Sequence, residues 1–157
     1  MADIKSTADR SRNMAAIKSK DTTPELFVRK GLFARGYRYR VSANNIPGHP
    51  DIYMARFHTA VFVNGCFWHR HANCKYAYTP KSKVDFWNAK FQSNKLRDEA
   101  VRMKLADGGY RQLIIWECAI RSSRKKEEVA RVLFEQIERF IHSEIQYLEI
   151  DQAMLNH

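Results

Sequence analysis

The sequence predicts an α/β protein in which helices flank a mixed central sheet. Its apolar segments follow the order helix, three strands, helix, strand, helix. The long helix between the third and fourth strands is a right-handed crossover, so these two strands are predicted to be parallel. The chain has 157 residues, a length that suits one domain with a single core.

The first predicted element is a helix that begins at a well-marked position. Thr22-Thr23 supplies a capping threonine, Pro24 is predicted at the first helical position, and Glu25 places an acid in the first turn. The helix is expected to run to about Arg35, where Gly36 can end it.

Three predicted strands follow this helix. Tyr37–Val41 alternates with period two, which places its tyrosine rings on one face. A loop rich in Asn, Gly and Pro leads to a second strand at Asp51–Ala55, with Asp51 at its beginning. A turn near residues 56–58 precedes the third strand, Ala60–Val63, which is apolar enough to be buried on both faces.

The second half of the chain begins with a long helix from about Val84 to Ala106, closed by two glycines. Spacings of four and three place one set of its side chains on a single face: Trp87, Phe91, Asn94, Asp98, Val101 and Leu105. An acid on such a seam needs a partner or a function, which draws attention to Asp98.

The last predicted elements are a central strand and an amphipathic helix. Leu113–Glu117 is the strand, and Ser122-Ser123 is interpreted as the cap of the helix. Residues 143–157 carry no clear pattern and are left unassigned.

Charge and cysteine content narrow the classes of function. The net charge is +10 and the isoelectric point is near 9.7, which favours a polyanionic partner such as nucleic acid. No segment predicts a membrane span or a signal peptide, so a cytoplasmic location is expected. Residues 1–21 are polar and basic, and are interpreted either as a frayed terminus or as an arm that lies along DNA.

Three cysteines and one histidine form a candidate structural zinc site. Cys66, His71 and Cys74 lie close together after the third strand, and Cys118 ends the fourth. Parallel neighbours bring Cys66 and Cys118 to the same edge of the sheet, and three thiolates with one imidazole form a closed tetrahedral set. His69 is an alternative to His71 as the imidazole ligand.

A candidate catalytic group is predicted at the same edge. A hairpin between the second and third strands places the backbone carbonyl of Val63 near Asp51, and carboxylate and carbonyl oxygens are ligands that Mg²⁺ prefers. His69 follows the third strand and Asp98 arrives from the crossover helix, so an imidazole held by a carboxylate could activate water. Two metal ions could stabilise the attacking and leaving oxygens of a phosphodiester.

Seven motifs in order resemble those of the very-short-patch repair endonucleases, bacterial enzymes that nick DNA beside a T:G mismatch. They extend over nearly the whole chain: S-R-N-M at residues 11–14, D-T-x-P-E at 21–25, P-G-x-P-D at 47–51, G-C-F-W-H-x-H at 65–71, F-W at 86–87, R-D at 97–98 and W-E-C at 116–118. G-C-F-W-H-x-H is the most specific of the seven.

The resemblance implies a restriction-endonuclease-like fold with one structural Zn²⁺, and roles for particular residues. Asp51 would bind Mg²⁺ (two ions are expected), His69 and Asp98 would activate water, and Glu25 would line the site. The implied DNA contacts are wedge residues that enter the base stack at the mismatch, together with Met14 of the arm against the opposite groove; the wedge residues are Phe67, Trp68 and Trp87.

The resemblance also implies a biological setting. The domain organisation is expected to be a DNA-contacting arm at 1–21 and a single endonuclease domain at 22–157, acting as a monomer near the bacterial nucleoid. The substrate would be duplex DNA with a T:G mismatch formed by deamination of 5-methylcytosine, and mismatch-repair proteins are candidate further partners. Some members carry Thr-His where this chain has Val63-Asn64, so a phosphate contact from Asn64 does not carry over unchanged.

Two functional hypotheses therefore compete on the sequence alone. The first is a Mg²⁺-dependent, strand-specific mismatch endonuclease. The second is a zinc-stabilised module that binds distorted DNA without cutting it. Asp51 and Asp98 favour the first, because carboxylates near phosphates weaken DNA binding unless a metal ion bridges them.

Overall fold

Five strands form one mixed sheet in a computed structural model that describes residues 21–155. The strands lie in sequence order: β1 (Arg40–Val41), β2 (Ile52–Met54), β3 (Thr59–Asn64), β4 (Arg111–Trp116) and β5 (Tyr147–Ile150). The first three are antiparallel neighbours, whereas β3 with β4 and β4 with β5 are parallel. Met14 and the rest of the predicted arm up to residue 20 lie outside the described residues.

Five α-helices cover the two faces of this sheet: α1 (Thr23–Ala34), α2 (Val84–Asp107), α3 (Glu117–Lys125), α4 (Glu127–Ile141) and α5 (Gln152–Leu155). The main core lies on the face covered by α1, α3, α4 and α5. Helix α2 covers the opposite face, where it is buried at only a few positions. A mixed α/β fold with a central sheet between helices is therefore confirmed.

The parallel pairing of β3 and β4 is also confirmed, and it determines the position of the site. Asn64 pairs with Trp116 at the last step of the register, so both strands end side by side. The residues that follow them, Gly65 and Glu117, therefore begin their loop and their helix at the same edge of the sheet. All six residues of β4 are buried, as expected of a central strand.

Helix α1 begins and ends as predicted. The Thr22 hydroxyl accepts a hydrogen bond from the Glu25 amide, and Gly36 follows the helix with a φ of +92°, a conformation that glycine adopts readily. Helix α2 likewise ends at Gly108-Gly109.

Two predictions of secondary structure are wrong. Ser122-Ser123 does not cap the last long helix; both serines lie inside α3, where the Ser123 hydroxyl donates to the Ala119 carbonyl one turn earlier. The strand predicted at Tyr37–Val41 is limited to β1, because the Tyr37 side chain turns into the main core and its hydroxyl donates to Glu138.

Candidate active site and metal centre

Asp51 lies immediately before β2 and contacts the end of β3. Its Oδ2 accepts a hydrogen bond of 2.7 Å from the backbone amide of Val63. The sequence predicted that the Val63 carbonyl would lie near this carboxylate, whereas the observed contact is with the amide of the same residue. The N–H and C=O of an extended residue point to the same side of the strand, so the carbonyl also faces the Asp51 side.

Burial controls the protonation of Asp51. Loss of solvent raises its pKa from 3.8 to about 6, although the hydrogen bond from Val63 opposes this shift. The nearby carboxylate of Glu25, itself buried, raises the pKa further, and His69 lowers it. Two acids held close together with little solvent favour either a proton or a cation between them.

His69 and Asp98 form a second pair at the same edge. The distance from His69 Nδ1 to Asp98 Oδ2 is 2.7 Å, and both side chains are about one-third exposed. A carboxylate at this distance favours the tautomer with the proton on Nδ1, which would leave the lone pair on Nε2. Helix α2 supplies Asp98 from its middle, on the seam that the sequence predicted.

A cleft of about 590 Å³ lies between Asp51 and His69. Asp51, Glu25 and His69 line it together with Asn64, the last residue of β3. Asp98 does not line this cleft; it lies behind His69, in a neighbouring cleft that α2 forms with the sheet. The geometry therefore places a carboxylate pair and an imidazole around one space that can hold a small polar group and its solvent.

Sequence reasoning missed one acid in this cleft. Glu117 lines it from the first turn of α3, with an ion pair of 3.6 Å to Arg121. The available signal was its position directly after β4, next to Cys118, at the edge where the other groups were expected.

Phe67 and Trp68 line the cleft, and Trp87 packs against both of them. The Phe67 ring centroid lies 5.1 Å from that of Trp68 and 5.7 Å from that of Trp87, and the two indoles are 5.8 Å apart. All three residues are only half-buried. Asn94, which is 8% exposed, donates a hydrogen bond of 3.0 Å to the Trp68 carbonyl and so attaches this group of rings to α2. The three rings are termed the aromatic wedge below.

The four predicted metal ligands lie close together, three in the loop that follows β3 and one in the first turn of α3. The ligand atoms of Cys66, His71, Cys74 and Cys118 all lie within 4.8 Å of one another. His71 Nδ1 is 3.6 Å from the sulfurs of both Cys66 and Cys118. Tetrahedral Zn²⁺ with ordinary Zn–S and Zn–N bonds requires about 3.6 Å between a sulfur and a nitrogen ligand. The cluster can therefore hold a metal ion, and His69, which is bonded to Asp98, does not belong to it.

The surroundings of His71 support this arrangement. Its Nε2 lies 3.2 Å from Asp151 Oδ2, and its ring stacks on Trp116 with 4.2 Å between centroids. A carboxylate on the far nitrogen of an imidazole is a common way to orient a metal-binding histidine. Asp151 could not be found from the sequence, because it lies in the stretch that was left unassigned.

Hydrogen bonding between two of the thiols also favours metal binding. The neighbouring Cys66 thiol lowers the pKa of Cys118, and in turn the pKa of Cys66 is raised by Cys118 and by burial. The Gln152 amide donates to the Cys118 sulfur at 3.4 Å and stabilises its thiolate further.

Among the described residues, no helix has the length and apolar content needed to cross a membrane.

Comparison with known proteins shows the family to which the chain belongs. The family described as DNA mismatch endonuclease Vsr matches residues 2–75. The DNA mismatch endonuclease Vsr of Escherichia coli strain K12 is 36% identical over 151 residues, which is 96% of this chain and 95% of that protein. The type II nicking enzyme V.NmeAIP of Neisseria meningitidis is 41% identical over 122 residues, or 78% of this chain and 86% of that protein.

A third relative is the type II nicking enzyme V.XorIIP of Xanthomonas oryzae pv. oryzae, which is 38% identical over 76% of this chain and 88% of that protein. Of these three relatives, the Escherichia coli enzyme is similar over nearly the full length of the chain. The chain therefore belongs to the Vsr family of DNA mismatch endonucleases, hydrolases that act on DNA.

Proposed function

We propose that this protein is a Mg²⁺-dependent, strand-specific endonuclease that nicks 5′ of the T in a T:G mismatch. Such mismatches arise when 5-methylcytosine is deaminated, and the nick would initiate very-short-patch repair. The observation that carries the proposal is the convergence of Asp51 and the His69–Asp98 pair at one cleft beside the aromatic wedge. The element order agrees with a restriction-endonuclease-like fold.

The residues of the cleft fit a magnesium site. Asp51 and the carbonyl of Val63 would hold the ion, Glu25 would bind through water, and two ions are expected in the working complex. Bound Mg²⁺ would supply stabilisation of negative charge on the oxygens of the scissile phosphate.

His69 carries the proton transfer in this proposal. Its Nε2 accepts a proton from the attacking water, and Asp98 stabilises the imidazolium that forms through the 2.7 Å contact at Nδ1. The water attacks phosphorus, the P–O3′ bond breaks, and the departing O3′ takes a proton from solvent, so the products carry a 5′ phosphate and a 3′ hydroxyl. His69 therefore serves where many nucleases of this fold use a lysine.

The aromatic wedge supplies the selection of the mismatch. A T:G wobble pair stacks less well than a Watson–Crick pair, so inserting a ring beside it requires less unstacking energy. Phe67, Trp68 and Trp87 lie within 6 Å of one another beside the cleft, with enough exposed surface to meet a base. Met14 would meet the opposite groove.

Zn²⁺ is the ion we propose for the cysteine–histidine cluster. Three sulfurs and one nitrogen with no open position suit a structural zinc that joins the loop after β3 to the start of α3. The zinc would therefore hold the wedge and His69 in place without taking part in the reaction.

The alternative is a DNA-binding module that does not cut, and the membership of an endonuclease family argues against it. The distinguishing experiment compares binding and nicking of a T:G duplex by Asp51→Ala. We expect its affinity in Ca²⁺ to stay within about threefold of wild type and its nicking rate in Mg²⁺ to fall by at least about 1,000-fold. Asp107→Ala, an exposed aspartate at the end of α2, is the matched control and should nick normally. Nicking by Asp51→Ala at the wild-type rate would remove the catalytic assignment.

The proposed setting follows from the substrate. Duplex DNA places the enzyme in the bacterial cytoplasm near the nucleoid, where it would act as a monomer. The sequence context of the mismatch would match that of a companion cytosine methyltransferase, and mismatch-repair proteins would process the nick.

A further inference from the structure

Tyr78 is an aromatic residue at the site that the proposed function does not use. It lies in the loop between Cys74 and α2 and is 58% exposed. Its ring centroid is 5.1 Å from that of Phe67, with 49° between the ring planes. The ring of Tyr78 therefore extends the group of aromatic rings around Phe67 by one exposed ring.

Arg70 fixes the backbone on both sides of this ring. Its guanidinium donates to the carbonyls of Ala77 at 2.7 Å and Tyr78 at 3.0 Å, and to the Thr79 hydroxyl at 3.2 Å. A further hydrogen bond of 3.1 Å reaches the Phe67 carbonyl. One side chain thus joins the loop that carries Tyr78 to the strand end that carries the wedge.

A contact with α2 also holds the Arg70 side chain in place. Its guanidinium carbon lies 3.8 Å from the centroid of the Phe91 ring, which is buried in α2. Its backbone adopts a φ of +53°, a left-handed conformation that is unfavourable for an arginine and that persists only where surrounding contacts enforce it. Four hydrogen bonds and a cation–π contact provide that enforcement.

This arrangement distinguishes Tyr78 from an ordinary exposed tyrosine. Isolated exposed rings are common on protein surfaces and carry no function by themselves. Here the backbone is held on both sides of the ring, and the ring extends a group of aromatic side chains beside the cleft. An aromatic side chain whose backbone is already ordered loses less entropy when it stacks on a base.

We propose that Tyr78 is a further base-contacting residue, which Arg70 positions beside Phe67 so that the wedge contacts the base step next to the mismatch. The proposal rests on the proposed role of the wedge in DNA binding. Arg70 acts through Tyr78 and is a positioning residue. Stacking on an aromatic side chain tolerates different bases, so Tyr78 would strengthen the opened complex and not read its sequence.

The test measures the affinity of the full-length protein for a T:G duplex and for the matched T:A duplex, in Ca²⁺ so that neither is cut. Tyr78→Ala should weaken T:G binding by about fivefold or more, the loss expected for one base–aromatic stack. Its effect on the T:A duplex, which opens less readily, should be smaller than about twofold. Tyr78→Phe, which keeps the ring, should bind both duplexes as wild type does.

Two variants complete the design. Phe33→Ala removes a ring of similar exposure (54%) on α1, remote from the cleft, and should leave both affinities unchanged. Arg70→Lys keeps the charge but cannot donate to all four oxygens, so it should reproduce the loss seen for Tyr78→Ala. Metal content and thermal midpoint confirm that each variant is folded.

The outcomes separate this inference from the proposed function. Wild-type binding by Tyr78→Ala, together with a loss of T:G binding by Phe67→Ala, overturns the role of Tyr78 and leaves the wedge intact. Wild-type binding by both variants overturns the wedge as well. An equal loss on the T:G and T:A duplexes also contradicts the inference, because it shows a general contact with DNA.

Discussion

The pair formed by His69 and Asp98 is the contact on which the proposed proton transfer depends. The 2.7 Å contact with one carboxylate oxygen of Asp98 holds the imidazole of His69 in place. No other acid lies on the same face of α2. Spacing within α2 predicted that Asp98 would face the sheet, because residues three and four apart share a helix face. The sequence left His69 and His71 as alternative imidazole ligands of the zinc site. In the folded loop, His71 lies with the three cysteines and His69 contacts Asp98.

Asp98→Asn tests this pair. The amide preserves the shape of the side chain but no longer stabilises an imidazolium, so the nicking rate should fall by about 100- to 10,000-fold. Affinity for the T:G duplex should change by less than about threefold, since Asp98 lies behind His69. Glu99→Gln, the exposed neighbouring acid, is the control. Rapid-quench measurement of a single turnover provides the rate, and an unchanged rate would contradict the role given to Asp98.

The raised pKa of Asp51 leads to a pH-dependent prediction for the protein without Mg²⁺. The fold favours the protonated form, so this stabilisation is complete below about pH 4 and is lost as the pH rises through about 6. A shift from 3.8 to about 6 corresponds to about 3 kcal/mol at most. Asp51→Asn, which stays neutral, should therefore stabilise the protein by about 2 kcal/mol at pH 8 and by about one third as much at pH 4.5. Urea denaturation at the two pH values measures the difference, and equal effects at both would be inconsistent with a buried ionised Asp51.

At the scale of elements, the sequence was most informative where local signals and tertiary packing agree. The cap at Thr22, the seam of α2 and the glycines after α2 all appear in the structure as predicted. The C-terminal stretch was missed because β5 is a short strand with only one fully buried residue, Ile150, and it pairs with β4 across a long separation in sequence. Such pairing is determined by tertiary contacts that no local pattern reveals.

Arg111 connects three of these elements and provides a prediction about stability. It is 8% exposed and donates to the carbonyls of Ile141 and Ile145 and to the Thr59 hydroxyl, so it fastens the end of α4 to the start of β3 and β5. Arg111→Met would leave several buried oxygens without a donor and should destabilise the fold by about 3 kcal/mol or more. Arg131→Met, whose side chain is mostly exposed on α4, should change stability by less than about 0.5 kcal/mol. Urea denaturation of both variants tests the prediction, which a small effect at Arg111 would refute.

The proposed role of the metal cluster concerns the stability of the whole molecule, because a bound ion would tie the loop that carries Phe67, Trp68 and His69 to α3. We expect one zinc per chain by elemental analysis. Removal of the metal by a chelator should destabilise the protein by about 3 kcal/mol or more and abolish nicking even when Mg²⁺ is present. Asp151→Asn, which weakens the support of His71, should raise the chelator sensitivity without removing the metal. A metal-free protein with unchanged stability would contradict the structural role.

The charge of the whole molecule also affects how binding is measured. A net charge of +10 favours any duplex, matched or mismatched, through release of counterions. Affinities for T:G and T:A duplexes must therefore be compared at one salt concentration, near 150 mM. At that concentration the electrostatic attraction common to all duplexes is weak enough to reveal the preference for the mismatch.

Single-turnover nicking of strand-labelled duplexes tests the central proposal most directly. Each duplex carries one T:G mismatch in a different flanking sequence, and matched T:A and C:G duplexes serve as controls. We expect Mg²⁺-dependent cleavage of the T strand alone, 5′ of the mismatched T and in a restricted set of contexts, with no cleavage of the matched duplexes. Equal cleavage of matched and mismatched duplexes, or cleavage of both strands, would contradict the proposed function.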